Sequence, residues 1–258
     1  MAKGWALILG ASSGFGAAAS RALAGDGYSI FGVHLDRRSG MAQVDELRRE
    51  IDGLGVAQHF FNINAADTEK MAVVLDEMRT HCGDGPKVGV LMHSLAFGTL
   101  GALVGDKTIN ATQMDMTVRV MAHSLVDWTQ GLVAREMLER GGRVFAMTST
   151  GSLRAIPQYG AVAAAKAALE AHCRQLAVEL APMGVAVNAL RGGVTDTPAL
   201  RRIPGHERLM RLAKEVNPAK RLTTPEDVAR AMVALCAPGA YWITGNVINV
   251  DGGEAITG

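Results

Sequence analysis

A chain of 258 residues can bury a full hydrophobic core, and 48% hydrophobic against 20% charged residues is the composition of a folded domain, not of a disordered chain. A net charge of +1 leaves no basic field to bind nucleic acid, and no Lys/Arg-rich amphipathic segment suggests a membrane surface. The apolar runs are strand-sized, M-A-K-G-W-A-L-I-L-G has too short an apolar part for a signal peptide, and Cys82, Cys173 and Cys236 are too widely spaced for a disulfide framework or a metal site, so the expectation is a cytoplasmic protein without a metal.

Residues 5–9, W-A-L-I-L, are a continuous apolar run, the pattern of a strand buried on both faces of a parallel sheet. G-A-S-S-G-F-G follows at once, with Gly10, Gly14 and Gly16 spaced G-x-x-x-G-x-G ahead of the helical stretch A-A-A-S-R-A-L-A, which Gly25 to Gly27 ends. Glycines there let the turn tighten, the backbone approach a pyrophosphate and the helix press on the strand, while the helix N-terminus offers N–H groups to the phosphates. A second strand, S-I-F-G-V-H-L, runs into Asp36, Arg37 and Arg38, where the adenosine ribose of a dinucleotide would sit. An acid suits a free 2′-hydroxyl and arginines suit a 2′-phosphate. Two adjacent arginines favour NADP(H) and Asp36 keeps NAD(H) possible; a solvated loop of mixed charge is the alternative.

Met41 to Leu54 reads as an amphipathic helix, V-A-Q-H-F-F-N-I as a third strand ending at Asn62 and Ile63, and 67–82 as a further helix. Val88 to His93 is a fourth buried strand with Ser94, Leu95 and Ala96 at its carboxyl end, where ligands gather in open parallel sheets. Residues 110–139 read as a long helical region, Arg143 to Thr148 as a fifth strand that delivers Ser149, and V-A-V-N-A-L as a sixth ending at Arg191, Gly192 and Gly193. The stretch 198–220, with Pro204 and Pro218 and many arginines, reads as a helical lid over a pocket or as a surface excursion. T-P-E-D at 224–227 caps another helix, and I-T-G-N-V-I-N-V-D-G-G closes with a seventh strand. The alternation predicts a single α/β domain over 1–258, a doubly wound parallel sheet of about seven strands with helices on both faces.

The segment from Ser149 to Lys166 carries Tyr159 and, seven residues later, Lys166. On a continuous helix that spacing puts both on one face, about 10 Å apart along the axis, with Pro157 marking the helix start. The intervening Ala, Gly and Val residues let a backbone and a ligand approach closely. Taken alone, the pair also fits a packed phenol and a solvated amine. Cys173 on the same helix reads as packing.

G-A-S-S-G-F-G at 10–16, Ser149, Lys166, V-N-A-L-R-G-G at 187–193 and I-T-G-N-V-I-N-V-D-G-G at 243–253 together resemble the short-chain dehydrogenase/reductase family along essentially the whole chain. Most members carry the tyrosine four residues before the lysine, a position held here by Val162. The longer spacing, the segment R-A-I-P-Q-Y-G-A-V-A-A-A-K-A-A-L-E-A and M-H-S-L-A-F at 92–97 resemble the enoyl-acyl carrier protein reductase branch, and R-G-G-V-T-D-T-P-A-L is similar to its NADPH-using bacillary variety. Enoyl reductases commonly have a second tyrosine, or a serine in that variety, where this chain has Ser149. Broader family members carry an asparagine in the region of Arg119 and His123.

The resemblance implies a Rossmann-type domain that reduces a trans-2-enoyl thioester, carried on acyl carrier protein or CoA, with a nicotinamide cofactor, and a homotetrameric assembly. In it Tyr159 would hydrogen-bond the enolate oxygen, Lys166 would hold the ribose hydroxyls and lower the tyrosine pKa, and Ser149 would be a second donor to substrate or simply a strand-end residue. For the cofactor it implies Gly10, Ser12, Ser13, Phe15 and Gly16 at the phosphate turn, Arg37 and Arg38 at the 2′ position, and Asn62 and Ile63 at the adenine. Ser94, Leu95 and Ala96 would lie along the ribose, with Val194, Thr195 and Thr197 near the carboxamide; Asn62 and Thr195 also fit turn chemistry. The alternatives are a family member acting on a carbonyl or hydroxyl substrate and a catalytically silent NADP-binding sensor. His93 and His123 receive no role.

Overall fold

Strand β1, Trp5–Leu9, is buried along its whole length and pairs in parallel with β2, Ser29–His34, on one side and β4, Val88–His93, on the other. The computed structural model describes residues 3–85 and 87–257; Met1, Ala2, Pro86 and Gly258 lie outside that range. With β3, Gln58–Asn62, β5, Leu138–Thr148, β6, Ala186–Gly192, and β7, Val247–Val250, the described residues form one seven-stranded sheet in the order β3-β2-β1-β4-β5-β6-β7. Every pairing is parallel, which makes it the doubly wound sheet that the alternation predicts. Because the chain leaves β1 in one direction across the sheet and returns to β4 in the other, a crevice opens at the carboxyl ends of those two strands.

Helices cover both faces. On one lie α1, Gly14–Gly25, α2, Met41–Gly53, and α8, Pro225–Cys236; they pack Leu23, Leu47, Ile51 and Met232 on Ile8, Met92 and Phe145. The other face carries α3, Thr68–Cys82, α5, Ser124–Ala134, and α6, Gly160–Glu179, with Leu75, Trp128 and Leu169 on Leu91, Val144 and Val187. Alternate residues of each strand feed the two cores, so a strand sandwiched between helices reads as continuously apolar. Trp128 is fully buried and its indole N–H donates to the Ala65 carbonyl at 2.8 Å. Cys173 is buried in that same core, as its sequence position suggests. Among the described residues no helix is long and apolar enough to cross a membrane.

Four boundaries differ from the sequence reading. The helical region expected over 110–139 is α4, Ala111–Val118, then a π turn at Arg119–His123, then α5, and it stops at Ala134. Strand β5 begins at Leu138, five residues before Arg143, because Gly141 and Gly142 let its register slip against β4. Strand β7 begins at Val247, not Ile243: the Asn188 side chain donates to the Ile243 carbonyl at 2.6 Å and accepts from the Asn246 N–H at 3.1 Å, holding that stretch as a turn. Helix α6 begins at Gly160, so Pro157 precedes it and Tyr159 is its N-terminal flanking residue, not a residue of its first turns. In the stretch 198–220 the chain forms α7, His206–Val216, which packs against the short α9, Glu254–Thr257.

Trp128→Phe keeps an aromatic ring but leaves the Ala65 carbonyl without its donor, and is expected to cost about 1–3 kcal/mol. Trp128→Ala is expected to cost about 3–5 kcal/mol, read from urea midpoints at unchanged slope.

Candidate active site

The glycine turn after β1 has the shape that a dinucleotide requires. Gly10 has φ +89° and Gly14 φ +52°, a region that favours glycine, and a methyl group on Gly16 would collide with the Gly10 carbonyl oxygen. Ser13 precedes α1 in extended backbone without a side-chain hydrogen bond to the helix, so the first N–H groups of α1 face outward for an anion. Ser12 lies in this turn and Phe15 and Gly16 in the first turn of α1, where Phe15 packs toward Gly192 at the end of β6. The residues therefore fit the group: a turn that only glycine can close, at the sheet's switch point, ahead of uncapped N–H groups.

The remaining expected cofactor residues ring the same strand ends. Arg37 and Arg38 are exposed after β2, whereas the Asp36 carboxylate is bound to the buried His34 ring at 2.9 Å. The Asn62 side chain accepts from the Asp36 N–H at 3.1 Å and donates to the Asp36 carbonyl at 2.9 Å, and the Ile63 N–H donates to the His34 carbonyl. The Ser94 N–H donates to the Leu9 carbonyl, with Leu95 half-buried and Ala96 exposed beyond it. After β6, the Thr195 hydroxyl donates to the Gly193 carbonyl at 2.9 Å, the Thr197 hydroxyl accepts from the Leu200 N–H at 3.2 Å, and Thr197 approaches Gly14. The Val194 N–H donates to the Glu254 carboxylate at 3.1–3.2 Å. Thr195 is thus engaged in a local turn hydrogen bond, whereas Asn62 ties the end of β3 to the segment after β2. Glu254 was not legible in the sequence, since only the fold brings residue 254 to residue 194.

Ser149 and Tyr159 meet just beyond the end of β5, and Lys166 is held on backbone carbonyls of Met147 in β5 and Leu95 after β4. Lys166 is 5% exposed, and its amine donates to the Met147 carbonyl at 2.7 Å and to the Leu95 carbonyl at 3.3 Å. Burial pushes the amine down to about 8, against the opposing influence of Cys173 and Glu170. The Tyr159 hydroxyl lies 3.4 Å from the Ser149 hydroxyl, which itself accepts from the Gly151 N–H at 3.1 Å. The sequence reading has Lys166 lowering the tyrosine pKa. Instead burial raises it, and the influence that opposes the rise is the Ser149 hydroxyl. The lysine charge is directed onto two backbone carbonyls.

A family model described as Enoyl-(Acyl carrier protein) reductase matches residues 10–254. The chain belongs to the enoyl-(acyl carrier protein) reductase family. It is 29% identical over 253 residues to the 1-cyclohexenylcarbonyl-CoA reductase of Streptomyces collinus, covering 97% of this chain and 86% of that one. It is 33% identical over 186 residues to the enoyl-[acyl-carrier-protein] reductase [NADH] FabI of Salmonella typhimurium, covering 70% of each. Among solved structures it superposes on an enoyl-[acyl-carrier-protein] reductase (NADH) from Aquifex aeolicus with a TM-score of 0.87 and 25% identity, over 100% of this chain and 98% of that one.

Beneath the site of this enoyl reductase family member lies a buried ion pair that the sequence reading missed. Glu170, four residues after Lys166 on α6, accepts from the Thr148 hydroxyl at 2.6 Å, the Ser152 hydroxyl at 2.7 Å and the Arg191 guanidinium at 3.1 Å. Glu170 and Arg191 are each 7% exposed. The Ser152 hydroxyl sits within reach of both carboxylate and Ser149 carbonyl, so the pair pins the short turn that carries Ser149. The legible signal was the i, i+4 spacing from Lys166, which places Glu170 on the lysine's side of the helix.

Removing one member strands a buried charge, so Arg191→Met is expected to destabilise the fold by about 3–5 kcal/mol. The paired Arg191→Met/Glu170→Met substitution should cost much less, a contrast that urea unfolding reads directly.

Proposed function

We propose that this protein reduces the carbon–carbon double bond of a trans-2-enoyl thioester with NADPH, and that Tyr159, Lys166 and Ser149 carry the chemistry. The observation that carries this reading is the placement of Tyr159: flanking α6 with its hydroxyl beside Ser149, seven residues before a lysine anchored on the sheet ends. A bound nicotinamide would supply hydride to the β-carbon, leaving negative charge on the thioester oxygen. A conjugated acceptor places that oxygen farther from the attacked carbon than a ketone does, and a phenol displaced along the helix from the lysine suits it. Because burial raises its pKa, Tyr159 stays a neutral phenol and donates a hydrogen bond to the developing enolate. The same phenol, directly or through water, can hand over the proton that completes the reduction. Ser149 orients the phenol, and Lys166, its amine anchored on the carbonyls of Met147 and Leu95, would hold the ribose hydroxyls of the cofactor.

Arg37 and Arg38 support NADP(H): both are exposed, and the competing Asp36 carboxylate is engaged by His34. The stretch 198–220 is read as a lid over the acyl group. Arg202, Arg208, Arg211 and Lys214 are exposed along it, a basic face that suits the phosphate-bearing end of either a carrier protein or CoA. A homotetramer in the cytoplasm completes the reading. Tyr241 and Trp242, 59% and 83% exposed just before the edge strand β7, support contact with a second copy.

The purified protein is expected to oxidise NADPH with crotonyl-CoA or a longer enoyl thioester, followed at the absorbance of the reduced nicotinamide. Tyr159→Phe should lower kcat about 100- to 1000-fold. Turnover of a ketone with no enoyl thioester accepted would reverse the assignment. Replacing both Arg37 and Arg38 by Ala should raise the Kd for NADPH about ten- to hundred-fold and leave that for NADH nearly unchanged, measured by fluorescence titration.

A further inference from the structure

The residue before Tyr159 stands in an uncommon backbone conformation. Gln158 has φ +62°, in the left-handed region that side chains disfavour; among the described residues only Glu136 and Lys220 share that sign without being glycine. Ile156, Pro157, Gln158 and Tyr159 form a tight turn. The Tyr159 N–H donates to the Ile156 carbonyl at 3.1 Å, with Pro157 in the second position and the positive φ in the third. This is the pattern of a type II turn, whose third position favours glycine or asparagine. An exposed glutamine holds it here against the steric cost.

Such a conformation persists where neighbouring contacts over-determine it. Two hydrogen bonds clamp the peptide that joins Gln158 to Tyr159: its N–H is the one held by Ile156, and its carbonyl accepts from the Gly101 N–H at 2.8 Å. The loop that carries Gly101 follows β4 and is itself anchored. The Thr99 N–H donates to the Thr117 hydroxyl on α4 at 2.9 Å, and the Ile109 N–H donates to the Ala102 carbonyl at 3.0 Å. Leu103 of the same loop lies on Gly160, where a Cβ would stand 2.8 Å from Leu103 Cδ1. The peptide after Tyr159 is fixed as well, its carbonyl accepting from the Ala163 N–H at 2.8 Å. With both flanking peptides held, only the side-chain torsions of Tyr159 remain. The ring lies against Gly151, where a Cβ would collide with it, and the hydroxyl stands 3.4 Å from that of Ser149.

We propose that Gln158 is a positioning residue that works through its backbone. Its left-handed conformation sets the clamped peptide, ties the loop after β4 to the start of α6, and so fixes where the Tyr159 phenol stands. The proposal rests on Tyr159 being the donor to the enolate oxygen. The Gln158 side chain also lines a hollow with Thr99, Lys107 and Gln113. A carboxamide acting on a ligand there is the competing role, and substitutions that separate backbone from side chain decide between them.

Asparagine and glycine accept a positive φ, whereas the branched Cβ of valine opposes it. Gln158→Val is expected to lower kcat with an enoyl thioester about 100-fold, while KM and the Kd for NADPH stay near wild type. Gln158→Gly, which lacks the carboxamide but keeps the conformation, should restore kcat toward wild type, as should Gln158→Asn. A glycine variant as slow as the valine variant would make the carboxamide the working group. An undiminished kcat in the valine variant would make the conformation immaterial, and either result overturns the proposal. Should Gln158→Val fold poorly, hydrogen exchange of the wild type decides. A Gly101 amide protected far longer than those of Gly105 and Asp106, exposed in the same loop, supports the clamp; exchange at their rate sinks it. Inactivity of the wild type toward every enoyl thioester would instead remove the functional reading and leave the exchange result standing.

Discussion

An ammonium group buried on two backbone carbonyls is the constraint around which this site is built. Lys166 can stay in a dry place only because the ends of β4 and β5 offer the Leu95 and Met147 carbonyls to it. Leu95 lies two residues past the end of β4, and Met147 is the penultimate residue of β5, beyond the last residue that pairs with β4. The sheet thus does more than support the site from below: carbonyls at its carboxyl edge are the counter-dipoles of the Lys166 amine.

Around that anchor, neighbouring side chains are tied to one another and to the backbone. Ser149 accepts from Gly151 and meets the phenol of Tyr159; Ser152 ties the same turn to Glu170; Glu170 is satisfied by Arg191 from β6. The result is a chain of polar contacts joining the turn after β5 to α6 and β6, in which every partner restrains the next. A phenol raised in pKa by burial and oriented by a serine is a donor and not a base, which matches stabilisation of an enolate oxygen.

Much of the fold was legible because buried parallel strands and the helices between them impose simple patterns. W-A-L-I-L and V-G-V-L-M-H read as strands covered on both faces, and the glycines at 10, 14 and 16 could be placed by what a turn into a helix requires. Legibility failed where a single side chain or an irregular turn overrode the pattern. Asn188 delays β7, Gly141 and Gly142 slip β5, and a π turn interrupts what reads as one continuous helix. No local period announces any of these, because each is decided by a partner distant in the chain.

From the chain's own order of residues follow the alternating layers, the phosphate turn and the seven-residue interval between phenol and amine, since all three depend on short-range spacing and the apolar pattern. Only the folded arrangement decided which charges are buried together, that Glu254 meets the Val194 N–H, and that the buried His93 ring meets the Ser124 hydroxyl. The physical reason is that desolvation and hydrogen-bond matching act between residues tens to more than a hundred positions apart, and nothing short of packing brings those residues within reach of one another.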